Sequence, residues 1–306
     1  MNDPFPNWHE GRVYDVFLFG HTAVDRIKTP SQEYEMTSGP VFFAAWTAYA
    51  LGHSIGILTK TSAGDRHRLR EFPIAEQEIF WRSSRETVYS ILSYPTESME
   101  QRVITTLKKA DPYFIEDFPS VSAKLIYYCG LSTGEVDLQT LIRLSERAPL
   151  AVDVQGLMRK VYPDGAVKYV PWETDRAILP LCRYFKADAA EAAFLTGLDT
   201  EKHEGRLRAA ETFLGRGAGE VVLSHEEELV AASASGVVCA PLRNRRLTGR
   251  TGRGDTCFAS YVTERFHKEP AEAIRFAAAA TSLKLEDPGP FKASRSEVES
   301  FLREFF

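Results

Sequence analysis

A glycine-rich turn that leads directly into an apolar-periodic helix is the most informative segment of this sequence. It covers residues 247–261, with the sequence LTGRTGRGDTCFASY. Gly252 and Gly254 permit a tight backbone, and the N–H groups of residues 252–255 have no intrahelical partner at the start of the helix. Because these donors and the positive end of the helix dipole point the same way, such a turn binds anions.

Asp255 lies at the mouth of this predicted anion site. A carboxylate there accepts a proton from a substrate hydroxyl while the backbone donors hold a transferring phosphoryl group. Phosphoryl transfer needs that pairing, because it depends more on positioning and charge stabilisation than on covalent work by the protein. Aspartate also caps helices often, so the pattern by itself leaves a purely structural role for Asp255 open.

Short β-rich runs alternate with longer helical runs around this turn, which predicts an α/β fold with a mainly parallel sheet covered by helices. Compact apolar runs are typical of strands buried on both faces, and they predict strands at 13–19, 54–59, 124–128, 150–154, 184–187 and 220–224. Helices are predicted at 41–51, 138–147, 189–195, 205–214, 254–267, 271–285 and 294–305.

Residues 22–38 and 86–107 break this alternation, because both look like strands joined by turns rather than βα units. Both segments lie early in the chain and interrupt the sheet. We expect them to pair into a small β-structure over the strand ends. It would serve either as a lid over a site or as an ordinary surface hairpin.

Thr251-Gly-Arg-Gly-Asp-Thr256 resembles the TGAGD signature of the ribokinase-like (PfkB) family of carbohydrate kinases. Other segments resemble the family in the same order along nearly the whole chain. They are the first strand end at 20–25, the double-glycine motif and its helix at 38–52, the N-x-x-E segment at 186–197, the nucleotide-lining strand at 221–224 and the helix against the base at 276–285.

This resemblance implies a single kinase domain over residues 1–306, built as a ribokinase-like three-layer sandwich with a central mainly parallel sheet and a small β-lid. The resemblance implies ATP as donor, and Mg²⁺ held largely through water and phosphate oxygens. Lid closure would exclude water and so suppress hydrolysis of the donor. Asp255 would be the catalytic base, with Gly252, Arg253 and Gly254 forming the anion hole.

The resemblance also assigns roles to residues outside the turn. Substrate binding is expected at Asp25, Gly39, Asp153 and Arg159, with Asp25 holding substrate hydroxyls. Nucleotide binding is expected at Asp188, Glu191, Ser224, Thr251, Gly252, Ala279 and Ser282, and Glu191 would organise Mg²⁺ through water. Asp153 lies at a strand end, where ligands bind in parallel sheets, but it is equally consistent with capping a turn.

Several positions depart from the family pattern. The anion hole has Arg253 in place of the usual alanine, and Ser38 replaces the first glycine of the double-glycine motif. Phe43 stands where an asparagine often contacts sugar hydroxyls, and Asp188 replaces the asparagine of N-x-x-E. These changes keep phosphoryl transfer plausible and put ribose or fructose specificity in doubt.

The departures resemble the inositol-kinase-like branch of the family. The resemblance lies in GRTGRGDTC, in residues 153–159 and in the FAAAATSLK run followed by PGP. It favours a small polyol, myo-inositol first, as the acceptor. A nucleoside, aminoimidazole or other sugar kinase of the same fold is the alternative, and a non-catalytic sugar- or nucleotide-binding regulator is a second.

Composition and spacing exclude other classes. The formal net charge of −5 gives no reason to expect nucleic acid. The sequence Gly215-x-Gly-x-Gly219 follows a helix and precedes a strand, the reverse of the dinucleotide-binding order, and no GxxxxGK[ST] loop occurs. The four cysteines are scattered and the seven histidines lack ligand spacing, so neither a disulfide framework nor a dedicated transition-metal site is expected.

Membrane association and secretion are not expected either. The longest largely apolar stretch, residues 41–51, is shorter than the about 20 residues that cross a bilayer. The first residues, MNDPFPNWHEGR, lack a basic start followed by an apolar segment, so we expect a cytoplasmic protein. The resemblance leaves a homodimer through the lid possible.

Overall fold

The structure is a computed structural model that describes residues 12–96 and 103–306. Its strands are β1 (Val13–Phe19), β2 (Ala23–Lys28), β3 (Glu33–Ser38), β4 (Ile55–Thr61), β5 (Ile79–Ser83), β6 (Val88–Ser93), β7 (Val103–Lys108), β8 (Ser122–Tyr128), β9 (Leu150–Asp153), β10 (Arg159–Val161), β11 (Val167–Tyr169), β12 (Cys182–Asp188), β13 (Glu220–Ser224), β14 (Glu228–Ser233) and β15 (Gly236–Pro241). Its α-helices are α1 (Pro40–Ala50), α2 (Leu138–Ser145), α3 (Gln155–Met158), α4 (Asp175–Ile178), α5 (Ala189–Thr196), α6 (His203–Gly215), α7 (Arg253–Glu264), α8 (Pro270–Glu286) and α9 (Arg295–Phe305).

A nine-stranded sheet forms the centre, in the order β15-β14-β13-β12-β9-β8-β1-β4-β5. Strands from β5 across to β13 pair in parallel, and β14 and β15 extend one edge in antiparallel fashion. Parallel strands end at the same edge of a sheet, so the residues that follow β1, β12 and β13 meet there. The predicted mainly parallel α/β sheet is confirmed.

Both faces of this sheet are covered. In β1, Val16 and Leu18 pack with α1, α7 and α8 on one side, whereas Phe17 and Phe19 pack with α2 and α6 on the other. Side chains alternate along a strand, so an unbroken apolar strand needs helices on both faces. The result is the predicted three-layer sandwich.

The sequence predicted most of these elements well. The bounds of β1 and β13 are confirmed, and β4, β8 and β12 are one to three residues longer than predicted at one or both ends. Strands β5, β14 and β15 and the hairpin β10–β11 were not predicted. Of these, β5 and β15 are the edge strands of the large sheet, and polar residues in edge strands weaken the apolar signal.

The two segments that broke the alternation form a separate four-stranded sheet, in the order β3-β2-β6-β7. We call it the small sheet. Strands β2 and β6 pair in parallel, although they come from different parts of the chain. Ile27, Leu92 and Tyr94 form its own apolar cluster. Residues 97–102, which belong to the predicted lid segment 86–107, lie outside the described residues.

Contacts at both sides connect the small sheet to the rest of the molecule. On the β3 side, Thr37 Oγ1 donates to Glu71 at 2.7 Å. On the β7 side, Thr105 forms a bridge to Ala166, and Thr106 N–H donates to Gly165 O at 2.8 Å in the turn of the β10–β11 hairpin. The small sheet is thus held over the strand ends of the large one.

Candidate active site

A cavity of about 790 Å³ lies between the carboxyl ends of the parallel strands and the small sheet. It brings together ten of the residues predicted for the site: Asp25, Gly39, Arg159, Asp188, Ser224, Thr251, Gly252, Arg253, Gly254 and Asp255. Four others do not line it, namely Asp153, Glu191, Ala279 and Ser282. The glycine-rich turn and the small sheet therefore share one cavity.

The glycine-rich turn is built tightly against α1. Gly252 has a φ of 85° and caps α7, and a Cβ at this position would lie 2.4 Å from the ring of Phe43. Only glycine meets both requirements. Phe43, the departure from the usual asparagine, thus packs under the turn.

The first turn of α7 holds the backbone donors of the predicted anion hole. Arg253 N–H donates to Arg250 O at 3.3 Å, and Thr256 N–H makes the first helical bond to Gly252 O at 2.9 Å. Gly254 lies between these two amides and lines the cavity, as does Asp255. A helix start of this kind presents amide donors and a positive dipole to an anion.

Asp25 lies on β2, in the small sheet, and is almost fully buried at one side of the cavity. Ser38 donates a hydrogen bond to Asp25 Oδ2. Ser38 replaces the first glycine of the double-glycine motif, so this departure gives the carboxylate a fixed donor. Gly39 has a φ of 103°, and a Cβ there would lie 2.5 Å from His21 O, which explains why the second glycine is kept.

Lys186 is the residue that sequence reasoning missed. It is almost fully buried, and its Nζ lies 2.8 Å from Asp153 Oδ2. A methyl group at Gly254 would lie 2.9 Å from the same Nζ, so the ammonium lies directly against the first turn of α7. Burial opposes the charge, but Asp153, Glu191 and Asp188 hold the pKa of Lys186 above its ordinary value.

Asp153 lies behind this lysine rather than in the cavity. Its Oδ1 accepts a hydrogen bond from Gln155 N–H at 3.0 Å, which is a turn-capping contact.

Lys186 could have been found from the sequence, because it is a charged residue in the middle of the apolar run 184–187 and lysine is rarely buried without a partner.

Arg159, Asp188 and Glu191 form a buried ion network beside Lys186. The guanidinium of Arg159 lies 2.8 Å from Glu191 Oε1 and 3.6 Å from Asp188 Oδ2. Asp188 and Glu191 also form the capping box of α5. Burial, with the charge of Asp188, raises the pKa of Glu191 to about 7, although Arg159 and Lys186 oppose the shift.

The ion network determines which carboxylate oxygens are available to a divalent metal ion. Both oxygens of Glu191 accept hydrogen bonds within the protein, whereas Asp188 lines the cavity. Asp188 therefore offers the carboxylate oxygen that a water-bound Mg²⁺ would meet, and oxygen ligands of this kind suit that ion. The chemistry of the cavity fits Mg²⁺, which Asp188 would face from the cavity wall, whereas Glu191, predicted to organise the ion through water, does not line the cavity.

Three residues on the cavity wall carry a buried polar atom that has no hydrogen-bond partner among the described residues. One atom, His21 Nδ1, lies 3.5 Å from the carboxylate of Glu135. The other two are Ser224 Oγ, at the end of β13, and Arg159 Nε. A buried hydroxyl or guanidinium N–H without a partner is costly, so such atoms usually meet water or a ligand. Both are suited to an oxyanion.

Ala279 and Ser282, predicted to contact a nucleobase, are fully buried on α8. Ser282 Oγ accepts a hydrogen bond from Arg243 N–H at 2.8 Å and donates to Ala278 O at 2.7 Å. Ser282 thus lies under the segment that leads to the glycine-rich turn, whereas Ala279 packs in the apolar cluster with Phe291 and Val298.

A comparison with known protein families identifies the family of this chain. The sequence profile of the pfkB family carbohydrate kinases matches residues 84–295. The chain belongs to the pfkB family of carbohydrate kinases. No curated protein matches the sequence as a relative. Among the described residues, no helix is both long and apolar enough to cross a membrane.

Solved structures of kinases share the fold. A pyrophosphate-dependent kinase in the ribokinase family, complexed with a pyrophosphate analog and myo-inositol, aligns with a TM-score of 0.82 at 24% identity, over 93% of this chain and 99% of that chain. A sulfate complex of a pyrophosphate-dependent kinase in the ribokinase family gives 0.81 at 26% identity, over 93% and 99%. Ribokinase from Arabidopsis thaliana, with ribose and ATP, gives 0.74 at 16% identity, over 95% and 99%.

Proposed function

We propose that this chain is a kinase that phosphorylates a hydroxyl of a small polyol or sugar, with myo-inositol as the favoured acceptor and Asp255 as the base. One observation carries the proposal. Asp255, at the start of α7, shares a single cavity with Asp25 on the small sheet and with Lys186 against the first turn of α7. A proton acceptor, a hydroxyl-binding carboxylate and a phosphate-binding cation therefore surround the same space.

Each of these residues has a separate role in phosphoryl transfer. Asp25, fixed by Ser38, accepts hydrogen bonds from acceptor hydroxyls. Asp255 takes the proton of the reacting hydroxyl as it attacks phosphorus. The first turn of α7 and the ammonium of Lys186 stabilise the charge on the transferring phosphoryl group. When bound, Mg²⁺ near Asp188 would neutralise charge on the donor.

A polyol acceptor suits the polar wall of the cavity. Besides Asp25, the wall carries the hydroxyls of Ser90, Thr106 and Ser132 and the carboxylate of Glu135. A ring with hydroxyls on every carbon can satisfy several such groups at once. The similar fold of a kinase solved with myo-inositol supports the same acceptor.

The donor is a phosphoric anhydride. Family resemblance implies ATP, and the similar fold of a ribokinase solved with ATP supports it. Two of the structurally similar kinases use pyrophosphate instead. A cytoplasmic location stays a prediction from the sequence, and a homodimer formed through the small sheet stays a prediction from the family resemblance.

The direct test measures product formation from myo-inositol, ribose, fructose, fructose phosphates and nucleosides, each with ATP and with pyrophosphate in the presence of Mg²⁺. We expect turnover of myo-inositol and loss of at least about a hundredfold in kcat for Asp255→Asn, the scale of a missing general base. Asp199→Asn, at an exposed pair with Lys202, is the matched control. Turnover of a nucleoside would discard the acceptor and keep the mechanism, and ligand binding without any turnover would favour a regulator.

A further inference from the structure

The face of α8 that was predicted to receive a nucleobase is covered by the chain itself. Residues 242–249, here called the cover segment, run along its C-terminal half. Thr248 N–H and Gly249 N–H both donate to Leu285 O, at 2.9 and 3.0 Å, and Arg243 N–H donates to Ser282 Oγ. The cover segment therefore occupies backbone and side-chain positions along that face of α8.

Ionic contacts fix the cover segment in place. Arg245 binds Glu286 through Nε at 2.8 Å and Nη2 at 2.6 Å, and Arg246 Nη2 lies 3.0 Å from Asp287 Oδ1. Lys284 Nζ donates to Gly249 O at 2.8 Å from inside the molecule.

The backbone of the cover segment is in direct contact with the backbone at the C-terminal end of α8. A Cβ at Gly249 would lie 1.7 Å from Asp287 O. A planar base could enter here only if these hydrogen bonds and ion pairs broke together.

An ion pair limits the cavity on the side away from the cover segment. Arg250 lines the cavity and pairs at 3.9 Å with Glu226, which lies in the turn that follows β13. Glu226, Glu227 and Glu201 form an exposed acidic rim beyond Ser224. The nucleoside part of a donor that extended past Ser224 would have to displace the Arg250–Glu226 pair.

The part of the cavity that remains is suited to a compact anion. Lys186, Arg159, Arg250 and Arg253 all line it around the first turn of α7. Ser224 Oγ and Arg159 Nε, which lack partners among the described residues, belong to the same wall. This concentration of donors matches the several oxygens of two linked phosphoryl groups.

We propose that the phosphoryl donor of this kinase is an inorganic diphosphate and that the chain has no nucleoside subsite. The inference rests on the proposed function and names the donor for the same site. The acceptor oxygen attacks the terminal phosphorus, the bond from that phosphorus to the bridging oxygen breaks, and orthophosphate leaves. The hydroxyl proton passes to Asp255. One diphosphate and one alcohol thus give one phosphate monoester and one orthophosphate.

Calorimetric binding tests the donor without any acceptor. Methylenediphosphonate represents the diphosphate, and adenylyl imidodiphosphate represents ATP, each titrated into the full chain with Mg²⁺. We expect methylenediphosphonate to bind at least tenfold more tightly, with adenosine unable to displace it. A nucleotide analogue that binds within tenfold or more tightly, displacement by adenosine, or no binding of either compound would each overturn the proposal.

A variant links the binding to the site. Lys186→Met together with Asp153→Asn removes the ammonium without leaving a buried unpaired carboxylate, and we expect at least a tenfold loss of methylenediphosphonate affinity. Lys202→Met, at an exposed lysine, is the control. Unchanged affinity in the double variant would also overturn the proposal. If the diphosphonate binds but no polyol is phosphorylated with either pyrophosphate or ATP, the acceptor proposal fails and the donor proposal stands. Phosphorylation of a polyol with ATP alone would overturn the donor proposal.

Discussion

Lys186 Nζ lies 2.8 Å from Asp153 Oδ2, and both side chains are almost completely removed from solvent. The two residues are register partners on the neighbouring strands β9 and β12. The pair thus fixes a positive charge against the first turn of α7, while Asp153 itself stays out of the cavity. Asp153 was predicted to bind substrate, and in the structure it contacts Lys186, whose side chain lines the cavity.

The first prediction concerns the stability of this pair. Lys186→Met should lower the free energy of unfolding by about 3–5 kcal/mol, because it leaves the Asp153 carboxylate buried without a partner. Adding Asp153→Asn should recover most of that loss but none of the kcat/KM. Denaturant unfolding and steady-state kinetics measure the two effects. The exposed pair Lys202→Met with Asp199→Asn should leave both quantities unchanged, and recovery of kcat/KM in the double variant would contradict the role given to Lys186.

The second prediction concerns Ser38. Ser38→Ala removes the donor to Asp25, and the loss of a hydrogen bond to a charged group should raise the acceptor KM by about tenfold or more. The KM for the donor should not change, because Asp25 lies on the small sheet. Ser31→Ala, in the exposed turn between β2 and β3, is the control. Equal rises in both KM values would show a general distortion of the cavity instead.

The third prediction concerns the contact between the small sheet and the glycine-rich turn. Tyr94 Oη and Thr251 Oγ1 are 3.3 Å apart, while the Tyr94 ring packs with Ile27 and Leu92. Tyr94→Phe keeps the ring and removes the hydrogen bond, so kcat should fall by about threefold to tenfold with little change in unfolding free energy. Tyr34→Phe, on the half-exposed ring of β3, should leave kcat unchanged. A kcat for Tyr94→Phe equal to that of the control would refute the contact's role.

The fourth prediction concerns pH. Burial lowers the pKa of Lys284 to about 8, although the charges of Asp255 and Asp287 oppose the shift. The unfolded chain keeps this proton up to its ordinary pKa of 10.5, whereas the folded chain releases it near pH 8. Because the unfolded state then binds more protons, the free energy of unfolding gains from this group as pH rises between these values, by at most about 3 kcal/mol.

Denaturant unfolding at pH 7, 8, 9 and 10 measures that gain. Lys284→Met should lose this part of the pH dependence, whereas Lys292→Met, at an exposed lysine, should keep it. The same pH dependence in Lys284→Met and in the unsubstituted chain would show that another group is responsible.

Local pattern was enough to predict the six inner strands of the large sheet, from β4 to β13 in sheet order, and the glycine-rich turn. An apolar run such as Val13–Phe19 has to be buried, whichever segments cover it. Its strand can therefore be predicted without knowledge of its neighbours. Asp255 was found in the same way, because the turn and the helix that position it are adjacent in sequence.

The contacts that the sequence did not reveal depend on register and on distant segments. Lys186 meets Asp153 only because β9 and β12 pair at those residues. Ala279 and Ser282 are both small, a pattern that fits a base-binding surface and a helix packed under another segment equally well. In the structure Ser282 Oγ accepts a hydrogen bond from the N–H of Arg243, 39 positions away, and no local pattern reveals such a contact.

The small sheet has two edge strands, β3 and β7, and they differ in whether another segment covers their outer side. The β10–β11 hairpin covers the outer side of β7, whereas among the described residues the backbone of β3 pairs with β2 alone. An uncovered edge is a template for strand addition from another molecule. Since β3 is the one such edge that the described residues leave on this sheet, two copies that paired through β3 would use up each other's open edge. Such pairing would stop at two chains and would not propagate into a fibre.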